Sequence, residues 1–266
     1  MVWDFFYGLY CKVSRLDIPE FAPIRYPVRI ISYNIQALFP FYNAERIQSI
    51  LTYILQQFTE HQVDIVCLQE AFEVDFYERL YAVVGSNRLY ISHPPLQRRY
   101  YVGENSGLVI ISRWPIQNTN FQRHDNSSGL CGLANKGYQC VQIQTDNDSN
   151  LRIVNTHLQS DNEEIAIQQL QELLWTIEEP TIVLGDMNLG FLMMKQTIFD
   201  TNVKSANDCE QITFPSEEEQ YDYGLLVGCS MNTDFEVLSE VRWSDHYPIR
   251  LTIVCREPTV PRTPPL

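Results

Sequence analysis

Short β-rich runs recur along this 266-residue chain, and most of them stop on a side chain able to hold a metal ion or move a proton. Residues 28–33 run into Asn34, 64–69 into Glu70, 151–156 into His157, and 181–184 into Gly185-Asp186-Met187-Asn188. Asp222 leads into residues 223–227, and Asp245-His246 stand just ahead of the run 249–254. In an extended backbone alternate side chains share a face, so Asp186 and Asn188 point to the same side. An acid that ends a buried run must be hydrated, paired or bound to a cation. A fold that gathers these ends at one edge builds a polar site from distant segments.

Between the runs the period lengthens. Ile47, Ile50, Leu51, Ile54, Leu55 and Phe58 fall on one helical face. Residues 74–84 predict a second helix, and 165–177, carrying Leu170, Leu173 and Leu174, another amphipathic one. Residues 107–112 read as a strand stopped by Trp114-Pro115, with further strands at 138–144 and 235–238. Strands outnumber helices, and helices recur between them. An α/β (α+β) fold of two packed mixed β-sheets flanked by helices satisfies this pattern. No repeat, charge block or long linker interrupts it. The expected organisation is a lead-in over 1–27, a single folded domain over 28–256 and a Pro-rich disordered tail over 257–266.

The apolar fraction of 45% and charged fraction of 20% are those of a soluble globular chain. No apolar stretch approaches the roughly 20 residues that span a bilayer. The aromatic opening 1–7 carries Asp4 and no basic leader region, so no signal peptide is expected, and a cytoplasmic or peripherally membrane-associated location is favoured over secretion. Nineteen basic residues against 33 acidic ones give a net charge of −14, which disfavours a broad basic footprint for nucleic acid. An acidic enzyme can still meet a phosphodiester through divalent cations. The seven cysteines include no Cys-x-x-Cys pair, which points to reduced, packed thiols, with Cys67 and Cys255 in the core. Cys131 and Cys140 flank one loop and could pair in an oxidising compartment. Asn126-Ser127-Ser128 and Asn147-Asp148-Ser149 match a glycosylation pattern that matters only in a secreted chain.

Carboxylate and amide oxygens are hard ligands, suited to Mg²⁺ and also to Mn²⁺, and no thiolate or histidine-rich cluster of the kind zinc prefers is present. Such a site fits phosphoester cleavage.

Six segments in order, residues 32–36, 68–70, 155–158, 185–188, 221–223 and 244–246, resemble the motifs of the endonuclease/exonuclease/phosphatase superfamily. The resemblance covers about 28–254 and implies a four-layer sandwich of the deoxyribonuclease-like type. Residues 34–36, 107–116, 134–138 and 156–159 are most similar to neutral sphingomyelinases. The stretch 245–248 is equally similar to pancreatic deoxyribonuclease, and no close match to inositol polyphosphate 5-phosphatases is seen. Compared with secreted bacterial sphingomyelinases, the chain is expected to lack a leader and a long apolar β-hairpin. The resemblance implies that Glu70 holds Mg²⁺, with Asn34 and Asp245 near the same or a second metal. It implies that His246 is the general base, oriented by Asp222. Asp186 would orient water or the leaving group, while Asn188 and His157 donate to phosphoryl oxygens.

The expected reaction is Mg-dependent hydrolysis of a phospholipid head group, sphingomyelin to ceramide and phosphocholine, by a monomer at a membrane surface. The alternative is an endonuclease using the same chemistry. Lys136 is a candidate phosphate contact and Tyr101, with Tyr100 and Trp114, a candidate choline contact. The apolar segment 191–194 is a candidate lipid contact.

Overall fold

Residues 28–33 were expected to end a strand at Asn34, but strand β1 (Val28–Ala37) continues past it. The computed structural model describes residues 27–38, 40–92, 105–144, 150–178, 180–229 and 231–254. The expected lead-in up to residue 26, the tail 257–266, and Tyr100, Tyr101 and Cys255 lie outside these. After β1 come α1 (Ala44–Thr59), β2 (Ile65–Ala71), α2 (Val74–Ser86), β3 (Tyr90–Ile91), β4 (Val109–Ser112), β5 (Ile116–Arg123) and β6 (Gly137–Gln144). The second half runs β7 (Asn150–His157), α3 (Glu163–Thr176), β8 (Thr181–Asp186), α4 (Phe191–Thr197), β9 (Val203–Ser205), β10 (Asp222–Val227), β11 (Asn232–Val237) and β12 (Ile249–Val254).

Two six-stranded sheets form, in the orders β11-β12-β1-β2-β4-β3 and β5-β6-β7-β8-β10-β9. β1 with β2 and β7 with β8 pair parallel, and the remaining described pairs are antiparallel, so both sheets are mixed. The central strands are apolar at nearly every position because both of their faces are covered. Ile30, Ile65, Cys67 and Ile110 of the first sheet meet Ile153, Ile182 and Leu184 of the second. On the outer face of the first sheet, Ile31, Tyr33, Val66 and Leu68 pack under Ile50, Ile54 and Phe58 of α1 and Phe76 and Leu80 of α2. On the outer face of the second, Val154, Val183, Tyr223 and Leu225 pack under Leu170 and Leu173 of α3 and Met194 of α4. Helix, sheet, sheet, helix: the four expected layers are present.

Three strands had no legible signal. β5 is an exposed edge strand of sequence IQNTNFQR with no apolar alternation, and β3 and β9 have only 2 and 3 residues. The apolar segment 191–194 opens the short helix α4. Met194 is buried, Phe191 and Met193 pack against the core, and only Leu192 is freely exposed, at 75%. A lipid contact through the whole segment is thereby excluded, and only Leu192 faces outward. Cys131 and Cys140 carry free thiols. No helix among the described residues is long and apolar enough to cross a membrane.

Candidate active site

Strand register alone brings three site residues side by side. Asp186 at the end of β8 pairs with His157 of parallel β7 and with Asp222 of antiparallel β10. Gly185 makes this approach feasible: its φ is +148°, and a Cβ there would lie 1.9 Å from the Thr156 carbonyl oxygen. Immediately beyond, Asn188 takes a left-handed φ of 49° and closes a turn in which its amide N–H donates to Asp186 Oδ1 at 3.0 Å. Its side-chain Nδ2 donates to the Leu158 carbonyl at 3.0 Å.

The first sheet supplies the opposite wall. The register between β1 and β2 shifts between Asn34 and Ala37, and within this irregular stretch Gln36 and Glu70 take φ of 48° and 55°. Left-handed backbone costs a non-glycine residue of order 1 kcal/mol, and such strain is characteristic of functional positions. The bulge turns Glu70 toward the second sheet. Asn34, only 1% exposed, joins the two sheets: its Nδ2 donates to Glu70 Oε1 at 3.2 Å and to Asp186 Oδ2 at 3.0 Å.

His246 arrives from the segment ahead of β12. Its Nδ1 lies 2.7 Å from Asp222 Oδ2, and its Nε2 lies 3.5 Å from Asp186 Oδ2. The backbone N–H groups of Tyr221 and Asp222 both donate to Thr213 Oγ1, at 3.0 and 3.1 Å, which fixes the start of β10. Asp245 accepts from Gln36 Nε2 at 2.6 Å and from Ser244 Oγ at 3.0 Å. Arg46, on α1, ties this segment to β1 by donating to the carbonyls of Ile35 and Trp243, each at 2.8 Å, and to that of Gln36 at 2.7 Å. Beneath the site, buried Asn155 of β7 donates to the carbonyls of Leu68 and Val109 and accepts from Gln69 Nε2 at 2.7 Å, a polar bolt between the sheets.

These groups perturb one another strongly. Burial disfavours a charged His246, but the Asp222 and Asp186 carboxylates, the Asp222 hydrogen bond and Asp245 outweigh it and raise its pKa to about 10. Burial raises the pKa of Asp186, partly opposed by the facing His246, and burial likewise raises that of Glu70. His157 is pushed the other way: burial, then the Lys136 cation and His246, hold its pKa well below the usual histidine value. It is therefore neutral, with Nε2 3.5 Å from Asp186 Oδ2 and 3.9 Å from Glu70 Oε1.

Glu70, His157, Asp186, Asn188, Asp245 and His246 line one cleft of about 210 Å³, together with Ser160, Phe214, Glu217 and Tyr221. Glu70, Asp186, Asp245 and Glu217 offer hard carboxylate oxygens, and the burial that penalises charge on Glu70 and Asp186 makes a cation favourable there. Asp186, Asp222 and His246 offer ligand atoms within 4.8 Å of one another. Asp222 Oδ2, however, is engaged by His246 Nδ1, and Asp222 is 0% exposed. An ion that must also meet substrate fits better on the open side, at Glu70 and Asp245. Asn34 could join it only by presenting Oδ1 where Nδ2 now donates, an amide flip.

Of the residues expected to form the site, the structure gathers Asn34, Glu70, His157, Asp186, Asn188, Asp222, Asp245 and His246. Lys136 stands apart from the cleft lining. It is 4% exposed and donates to the Leu158 carbonyl at 2.9 Å. Burial lowers its pKa, opposed by Cys131, Asp186 and Glu70. Tyr101 and Tyr100 lie outside the described residues, and Trp114 packs against the core between the sheets, away from the cleft lining. Thr213, Arg46, Phe214 and Glu217 carry no sequence signal, since their segments have no strand-end pattern, and Gln36 and Tyr221 enter only as parts of motifs.

A two-sheet sandwich with carboxylates and imidazoles from both sheets around one cleft is the architecture of a metal-assisted phosphoesterase class. The chain belongs to the Endonuclease/Exonuclease/phosphatase family, which matches residues 31–193. It is similar to sphingomyelin phosphodiesterase 5 of Danio rerio, 32% identical over an alignment of 136 positions that covers 45% of this chain and 25% of that protein. The chain thus aligns with a quarter of that relative's length. Among solved structures, a beta toxin from Staphylococcus aureus with bound magnesium ions aligns over 85% of this chain and 99% of its own, with a TM-score of 0.65 and 18% identity. Danio rerio TDP2 complexed with a single-strand DNA product aligns over 87% and 100%, with a TM-score of 0.67 and 15% identity. At these identities the structural likeness establishes the fold.

Proposed function

We propose that the chain is a divalent-metal-dependent phosphodiesterase that hydrolyses a phospholipid head group, sphingomyelin to ceramide and phosphocholine. The observation that carries this reading is the His246–Asp222 pair facing Glu70 across one cleft, with Asp186 between them. Glu70 and Asp245 are the residues to hold Mg²⁺ or Mn²⁺, with Asn34 bracing the Glu70 carboxylate through Nδ2. Bound there, the ion would polarise a phosphoryl oxygen, offset developing negative charge and draw the His246 pKa down toward neutrality.

The chain's own groups do the rest. Neutral His246 accepts a proton from water at Nε2, and Asp222 holds Nδ1–H and stabilises the imidazolium that results. Asp186 Oδ2 sits 3.5 Å from that nitrogen, placed to orient the water. His157 and Asn188 line the cleft and donate to phosphoryl oxygens, Asn188 being already held by its bond to the Leu158 carbonyl. Lys136, anchored on the Leu158 carbonyl, does not line the cleft and has no direct part in the reaction.

A lipid is favoured over nucleic acid by charge. Glu217 lines the cleft, Glu218 is exposed beside it, and the chain carries −14 overall, which repels a polyanion. Ile212, 45% exposed and two residues from cleft-lining Phe214, offers an apolar foothold for a membrane surface. The relative named for sphingomyelin supports the same choice. The test is to incubate the protein with sphingomyelin vesicles and with supercoiled plasmid, each with Mg²⁺ or chelator. Release of phosphocholine with Mg²⁺ alone supports the reading. Plasmid cleavage with intact vesicles transfers the site to nucleic acid.

A further inference from the structure

The cleft has an aromatic and acidic side that the hydrolytic groups do not use. Phe214 and Tyr221 stand with ring centroids 5.6 Å apart and planes inclined at 41°. Phe214 is also 4.6 Å from the His246 ring, and both aromatic rings line the cleft with Glu217. Tyr221 Oη donates to Glu217 Oε2 at 2.7 Å, so the carboxylate is held beside the rings. A short hairpin fixes the arrangement: Phe214 bridges Glu219, and the backbone of Tyr221 is tied to Thr213.

We infer that Phe214, Tyr221 and Glu217 form a subsite for a quaternary ammonium group, and that this subsite selects a choline ester among phosphodiesters. The inference rests on the lipid-head-group reading above. Two inclined aromatic faces with a fixed carboxylate are the chemistry that holds a methylated cation with no N–H to donate in a directed hydrogen bond. The location agrees with the reaction. In an in-line displacement the attacking water and the departing ceramide oxygen take the two apical positions on phosphorus. The choline ester oxygen is retained and lies to the side of that axis. A pocket flanking the base suits the group that stays, and Phe214 is in ring contact with His246.

The test is equilibrium binding by calorimetry, with Mg²⁺ present, of phosphocholine and of ethyl phosphate, which lacks the ammonium. The native chain is expected to prefer phosphocholine by about fivefold or more. In Phe214→Leu and Glu217→Gln that preference falls toward one. In Glu218→Gln, an exposed neighbour that does not line the cleft, it is retained, which separates the subsite from general acidity. Glu217 is exposed, so its variant keeps the test valid if Phe214→Leu fails to fold. A native preference near one, or one that both variants leave intact or Glu218→Gln removes equally, overturns the proposal. Sphingomyelin cleavage without a binding preference removes the subsite and spares the function. A preference with plasmid as the only substrate cut does the reverse.

Discussion

Asp222 and His246 meet at 2.7 Å although one begins a strand of the second sheet and the other precedes a strand of the first. The pair therefore exists only when the sheets are packed in register, and it ties proton transfer to the sandwich itself. Asp222→Asn keeps the shape of the side chain but removes the charge that stabilises a protonated imidazole. Turnover is expected to fall by about 10²–10⁴-fold with KM little changed. Steady-state head-group release, alongside circular dichroism to establish folding, checks this.

Glu70 is held in a strained backbone conformation and lines the cleft beside Asp245. In Glu70→Gln the carboxylate is lost while the shape is kept. Mg²⁺ affinity is expected to drop by at least about tenfold. Calorimetric titration of the metal alone reads this independently of any substrate.

Asn155 makes three hydrogen bonds at the interface between the sheets and is 0% exposed. Asn155→Leu removes a donor from two carbonyls and one of the two acceptors of Gln69 Nε2, which keeps Ser32 Oγ at 3.0 Å. A loss of about 2–4 kcal/mol in urea unfolding is expected, since each unsatisfied buried group costs of order 1–3 kcal/mol and the bonds share one side chain. Unchanged stability would show that the bolt is not structural.

His124 gives stability a pH dependence away from the site. Burial, aided by the Lys136 cation, lowers its pKa from 6.5 to about 4, and Glu172 Oε2, 3.4 Å from Nδ1, does not offset this. The unfolded chain binds a proton below pH ~6.5 that the folded chain refuses until about 4. Stability from this group is thus complete above pH ~6.5 and lost as pH falls toward 4, by up to about 3 kcal/mol. Urea midpoints across that window, with His124→Leu showing a shallower slope, test the sign.

Where the sequence was legible, the physics was local. Buried runs ending in Glu70, His157 and Asp186 announce both a strand and a polar terminus, and the 3.6-residue period of Ile47, Ile50 and Ile54 announces a helix. The eight gathered residues were all visible in this way or through motif resemblance. β5 was not, because an exposed edge strand has no buried face to impose alternation. Arg46 and Thr213 act through backbone carbonyls and amides brought close only by tertiary packing, and no spacing rule encodes that. Lys136 resembles a loop lysine in sequence, yet the structure buries it against the Leu158 carbonyl.

The most direct measurement is phosphocholine release from sphingomyelin by the native chain and by folded His246→Ala, each with Mg²⁺ and with chelator. The native chain is expected to turn over in Mg²⁺ only, and the variant to lose about 10³-fold or more. Native-level turnover by His246→Ala, or turnover by the native chain that a chelator leaves untouched, contradicts it.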